Sequence, residues 1–121
     1  MKGLILIAHG SKKELSNNEF LSLVDNVRSK DIVFDLIDAA FLEFAKPDIK
    51  DLVEVFISKN INDVYFYPYF LNSGKHVTID LPNIINSLKL KYSNINFKLL
   101  PHFGLSSNIT DIIINDLSSN F

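Results

Sequence analysis

The sequence predicts an α/β fold: a four-stranded parallel sheet in the order 2-1-3-4 with helices on both faces. Three observations carry that expectation. Four apolar, β-rich runs alternate with four segments of helical period, and this alternation favours right-handed crossovers that cover a parallel sheet on both sides. The first run, Gly3 to Ala8, is apolar without interruption, as expected of a strand buried on both faces. The chain is 121 residues long with only 4 glycines and 4 prolines. It shows no linker, repeat or low-complexity tract, so residues 1–121 are expected to form a single domain large enough to close its own core.

After the first strand, Ser16 and Glu19 have the spacing of a capping box. Phe20, Leu23, Val24 and Val27 follow at i, i+3, i+4 and i+7, an amphipathic first helix. Ile32 to Phe41, rich in β-branched and aromatic residues, reads as the second strand. Pro47, Asp48 and Asp51 suit the start of a second helix with the stripe Ile49, Leu52, Val53 and Phe56, and Asn60 suits a left-handed stop. Val64 to Tyr69 is the third strand, with Pro68 where its ladder should end. Asp80 is placed to cap a third helix with the stripe Leu81, Ile84, Ile85 and Leu88, although an earlier start near Gly74 also fits. Ile95 to Leu100 is the fourth strand, and Ile109, Ile112, Ile113 and Leu117 mark the last helix.

The bulk chemistry excludes several classes. Twelve Lys and Arg against fourteen Asp and Glu leave a net charge of −2, too little positive field to attract nucleic acid or anionic lipid. Cysteine is absent, which removes disulfides, thiolate metal sites and a cysteine nucleophile and accords with a reducing compartment. The apolar run Leu4 to Ala8 is too short for a signal sequence or a membrane span. A cytoplasmic protein is expected.

In the order 2-1-3-4 the switch point lies between the first and third strands, where ligands bind beyond the carboxyl ends. His9 follows the first strand, Glu43 the second, His76 the third and His102 the fourth. Gly10, Gly74 and Gly104 fall in the same loops. A single histidine at a strand end is more often structural, but two at one switch point weigh evenly towards function, because imidazole binds metals and moves protons near neutral pH. The apolar neighbours Phe41, Leu42, Phe44 and Ala45 would shield Glu43 from water and suit it to accepting protons. Lys12 and Lys75 adjoin the histidine loops and could meet a ligand carboxylate. Neither a Walker loop nor G-x-G-x-x-G follows the first strand, and G-x-S-x-G is missing. A closed zinc site would ask for four ligands. What remains is an open site of imidazoles, a carboxylate, hydroxyls and cations, able to hold a transition metal loosely.

Three segments resemble a known family: LILIAHGS (Leu4 to Ser11), FLEFAKPDI (Phe41 to Ile49) and YPYFLNSGKHVTIDLP (Tyr67 to Pro82). In order and spacing they are similar to the short class II tetrapyrrole chelatases, the CbiX and SirB group, which insert a divalent metal into sirohydrochlorin. The resemblance implies a chelatase-like, flavodoxin-like fold and an enzyme of cobalamin or sirohaem biosynthesis. It implies that His9 and His76 bind the metal and serve proton removal, with Glu43 lining the cleft. Gly74, Lys75 and Asp80 match positions that shape and orient the histidine loop. The metal, Co²⁺, Fe²⁺ or Ni²⁺, is then a substrate, and no organic cofactor is expected. Phe70, Leu71 and Phe41 would cover the face of the macrocycle, while Ser11, Lys12, Ser73, Gly74 and Lys75 would line its carboxylate fringe. A one-domain chain is expected to form a homodimer, because longer relatives place two such domains around one cleft. Lys12 stands where the family often has arginine, which keeps the charge and loses the bidentate fork. The segment around His102 matches only loosely, so that residue reads as structural, with a contact at the cleft rim as the alternative. Two other readings stay open: a carrier that binds metal or tetrapyrrole without catalysis, and a regulatory flavodoxin-like module. The latter lacks the acidic cluster and phosphorylatable aspartate of a receiver domain.

Overall fold

A computed structural model describes residues 1–121. The chain runs β1 (Lys2–Ala8), α1 (Glu14–Lys30), β2 (Leu36–Phe41), α2 (Ile49–Ser58), β3 (Asp63–Pro68), α3 (Leu81–Lys91), β4 (Asn96–Leu99) and α4 (Ile109–Asn120). All pairings are parallel and the order is β2-β1-β3-β4, as the alternation of periods predicts. Alternate residues of β1 divide between two cores. Leu4 and Leu6 pack with Phe20 and Val24 of α1; Ile5 and Ile7 pack with Val53 and Phe56 of α2 and Leu81 and Ile85 of α3. Burying each such side chain is worth roughly 1.5–3 kcal/mol, so the unbroken apolar run reflects cover on both faces.

Several boundaries differ from the sequence expectation, each for a local reason. Ser16 lies inside α1 and caps nothing; the cap position is Lys13, which makes no side-chain cap bond. Upstream, the Ser11 hydroxyl accepts from the Lys13 amide at 3.0 Å, and the Asn17 carboxamide exchanges bonds of 2.9 and 2.8 Å with the Ser11 backbone. That clamp ties the loop to the first turn, so the helix begins before Ser16. The second strand begins at Leu36 rather than Ile32, which is 97% exposed. Asp31 Oδ2 accepts from the amides of Val33 and Phe34, both at 2.9 Å, and this turn overrides their β-propensity.

Helix α2 matches its signals. Asp48 accepts from the Asp51 amide at 2.8 Å, and Asn60 takes a positive φ of 66° just past the end. Pro68 closes β3, although the Tyr69 amide still donates to the Ile7 carbonyl at 2.7 Å. Asp80 does not cap α3; the winding begins at His76, where a wide π-turn spans His76–Asp80 and leads straight into the helix. The earlier start is the correct one. Helix α4 forms where its period places it but buries none of its residues, leaving Ile112, Ile113, Ile114 and Leu117 about half exposed. No helix is long and apolar enough to cross a membrane.

A candidate metal centre

The ladder between β1 and β2 continues past the strands, with the Leu42 amide donating to Ala8 and the Glu43 amide to His9, at 3.0 and 2.8 Å. Glu43 is thereby held beside His9. Gly10 makes the approach possible: it sits at φ +93°, and a Cβ there would lie 1.8 Å from the Glu43 carbonyl oxygen. His76 enters from the β3 side, on the π-turn. The ligand atoms of His9, Glu43 and His76 all lie within 4.8 Å of one another, a spread that small side-chain rotations can close around one ion. The two imidazole rings stand 4.6 Å apart at 42°. Three adjacent strand ends, in the order β2, β1, β3, thus deliver carboxylate, imidazole and imidazole to the switch point.

The donors are set for a guest. His9 Nε2 is buried and makes no hydrogen bond, although Glu43 Oε2 lies 3.0 Å away; the approach is close but not aligned as a hydrogen bond. An orphaned nitrogen of this kind suits a ligand to a cation. On His76, by contrast, Nδ1 is engaged by Asp80 Oδ2 at 2.8 Å. The side chains of His9 and His76 are about 40% exposed, and that of Glu43 about half. Its apolar neighbours do not enclose Glu43, because Phe41 turns into the core and Phe44 turns outward.

Phe44, expected only to shield Glu43, stands at the centre itself. It adopts a left-handed φ of 66°, is 57% exposed, and presents an edge to the His9 ring at 5.9 Å. Strained backbone and an exposed aromatic ring coincide at the centre, as strain often does at functional sites. Lys12 Nζ stands 5.4 Å from the Phe44 ring centroid. Nothing in the sequence marks a phenylalanine as left-handed.

The other predicted residues take separate places. Phe70, Leu71 and Gly74 line an apolar recess of about 460 Å³ with Tyr69, Asn72 and Phe103. A second recess, about 340 Å³, is lined by Leu42, Glu43, His76, Asp80, Asn83 and Ile84. The larger recess holds no titratable group but tyrosine, whereas Glu43 and His76 of the cluster line the smaller one. Ser73 Oγ lies 3.3 Å from Nε2 of His102, which is buried and outside the metal cluster. Lys75 is exposed at the entry to the π-turn. The expectation that Phe41 covers a ligand is corrected: it is 1% exposed and packs edge-on against Phe20. Gly74 lies outside the left-handed region and a Cβ there would meet open space; its turn does not require glycine. Gly104 is the constrained one, since its Cβ would fall 1.7 Å from the Leu71 carbonyl. Burial pushes the Tyr67 hydroxyl above its ordinary 10.0, so it is neutral near neutral pH.

The CbiX family model matches residues 3–120. The chain belongs to the CbiX family. It is 28% identical over 114 residues to a sirohydrochlorin cobaltochelatase of Priestia megaterium, covering 93% of this chain and 36% of that protein. It is 25% identical over 111 residues to the chloroplastic sirohydrochlorin ferrochelatase of Arabidopsis thaliana, covering 92% and 49%. The structure superimposes on the sirohydrochlorin chelatase SirB from Bacillus subtilis subspecies spizizenii, solved with cobalt, with a TM-score of 0.87 at 16% identity, covering 98% of this chain and 50% of that one. The chain therefore spans half or less of the length of these three members and neighbours.

Proposed function

We propose that this CbiX-family chain inserts a divalent metal into sirohydrochlorin, an activity carried by the cluster of His9, Glu43 and His76. The observation that carries the reading is the orphaned His9 nitrogen beside a carboxylate and a second imidazole at an open switch point. Insertion requires that the ion shed water and that two pyrrole N–H protons leave as the ring takes up M²⁺. Imidazole and carboxylate bind late first-row divalent ions without thiolate trapping, which suits a metal that must be passed on. Co²⁺, Fe²⁺ and Ni²⁺ all fit that donor set, and the names of the relatives include cobalt and iron. Glu43, half exposed beside the metal donors, can receive a ring proton and release it to solvent, and His9 can do the same when its nitrogen is free of metal.

The macrocycle is flat and fringed with carboxylates. Phe44 offers an exposed ring beside the metal donors, and Phe70 and Leu71 line the apolar recess on the neighbouring loop. Lys12 and Lys75, with the hydroxyls of Ser11 and Ser73 and the loop at Gly74, supply charge and hydrogen bonds for the acids. A homodimer would give this face a second wall.

The test is anaerobic insertion of Co²⁺, Fe²⁺ or Ni²⁺ into sirohydrochlorin, followed by absorbance, for the wild type and His76→Ala. Wild type should exceed the spontaneous rate, and the variant should lose at least ten-fold of that acceleration. A wild-type protein that binds metal or tetrapyrrole without acceleration would be a carrier instead.

A further inference from the structure

The two histidines of the cluster are not held alike, and the difference assigns a task to Asp80. His9 makes no side-chain hydrogen bond, whereas His76 Nδ1 meets Asp80 Oδ2 at 2.8 Å. A neutral imidazole carries one N–H and one lone pair, and only the nitrogen without the proton can ligate a cation. An ionised carboxylate only accepts, so a bond to Asp80 requires the proton on Nδ1 and leaves the lone pair on Nε2. The backbone that carries Asp80 is firmly placed. It precedes Leu81, which is fully buried, and the Leu81 amide donates to the His76 carbonyl across the π-turn. Wide turns of this kind concentrate at functional sites; here the turn brings histidine and carboxylate together within one element.

We propose that Asp80 is a positioning residue that fixes the Nδ1–H tautomer and the ring orientation of His76, so that Nε2 is presented as a ready metal donor. This rests on the reading of His9, Glu43 and His76 as the metal site. Asp80 itself does not touch the ion. Its carboxylate braces the imidazole from behind, an arrangement that raises ligand basicity and whose loss typically weakens metal affinity by about 10–100-fold.

Two measurements on the full chain separate this role from a merely structural one. Ring ¹⁵N shifts of the metal-free protein at about pH 8, where an ordinary imidazole is neutral, report the tautomer of His76. Titration with Co²⁺ alone, followed in the visible region, reports affinity and ligand set. Wild type should show the Nδ1–H form. Asp80→Ala should shift His76 towards the Nε2–H form that free histidine prefers, and bind Co²⁺ about 10–100-fold more weakly with an unchanged spectrum at saturation. Asp80→Asn, which keeps a neutral acceptor and a similar shape, should retain the Nδ1–H form and lose less affinity than the alanine variant. A wild-type Nε2–H tautomer, an alanine variant binding as tightly as wild type, or a changed spectrum at saturation would overturn the proposal, the last by making Asp80 a ligand. If wild type binds no Co²⁺, the metal-site reading fails, and the tautomer measurement alone decides whether Asp80 braces the ring.

Discussion

Gly10 is the residue on which the meeting of His9 and Glu43 depends. Its φ of +93° and the 1.8 Å that would separate a Cβ from the Glu43 carbonyl oxygen leave no room for a side chain. Gly10→Ala should therefore push the two loops apart. The left-handed backbone alone costs about 1–2 kcal/mol for a non-glycine residue, and the clash with backbone adds to it. Denaturant unfolding should show a loss of about 2 kcal/mol or more, and Co²⁺ titration should show weakened binding; wild-type affinity would mean that the cluster does not need this contact. The meeting of His9, Glu43 and His76 was legible because each lies in the segment that follows one of three adjacent strands. The sequence hid the rest. Asn17 clamps Ser11 across six positions, Phe44 stands exposed in a left-handed conformation, and Asp80 spends its carboxylate on an imidazole rather than a cap. Each depends on where a side chain turns in space, which residue spacing does not encode.

Among the elements, α2 and α4 both carry an aliphatic stripe and meet opposite fates. Ile49, Leu52, Val53 and Phe56 of α2 are all buried, whereas α4 buries nothing. Phe56→Ala should destabilise the chain by about 3–5 kcal/mol, the range for emptying a core phenylalanine. Leu117→Ala on α4 should stay within about 0.5 kcal/mol, as surface substitutions do, when measured at a concentration where the chain is monomeric. Chemical denaturation of both variants checks the contrast, and a large loss at Leu117 would show that α4 packs on the sheet in solution. Helical period was enough to place α4 but not to say what it covers. Strand ends were legible only where no polar group competed: Asp31 draws the amides of Val33 and Phe34 into a turn, and composition alone could not set that bond against β-propensity.

For the whole molecule, the alternation of periods calls for a parallel sheet covered on both faces, and its order β2-β1-β3-β4 places the strand ends that carry the cluster. What alternation leaves open is the surface beyond one copy. Tyr65, Tyr67 and Leu100 are only partly covered on the face that α1 packs against, and α4 presents four half-exposed aliphatic side chains in Ile112, Ile113, Ile114 and Leu117. An isolated helix of this length is marginal in water without tertiary support, and so extended an apolar surface marks an interaction site more often than a bare exterior. The expected outcome is a homodimer by sedimentation, with a melting temperature that rises with protein concentration, because only the folded state associates. Leu117→Asp, which places a charge on that face, should shift the equilibrium to monomer while leaving the secondary structure unchanged and Co²⁺ still bound at His9, Glu43 and His76. A wild type that sediments as a monomer at every concentration would sink the dimer. A variant that stays dimeric would move the interface away from α4 and leave that helix's apolar face without its partner.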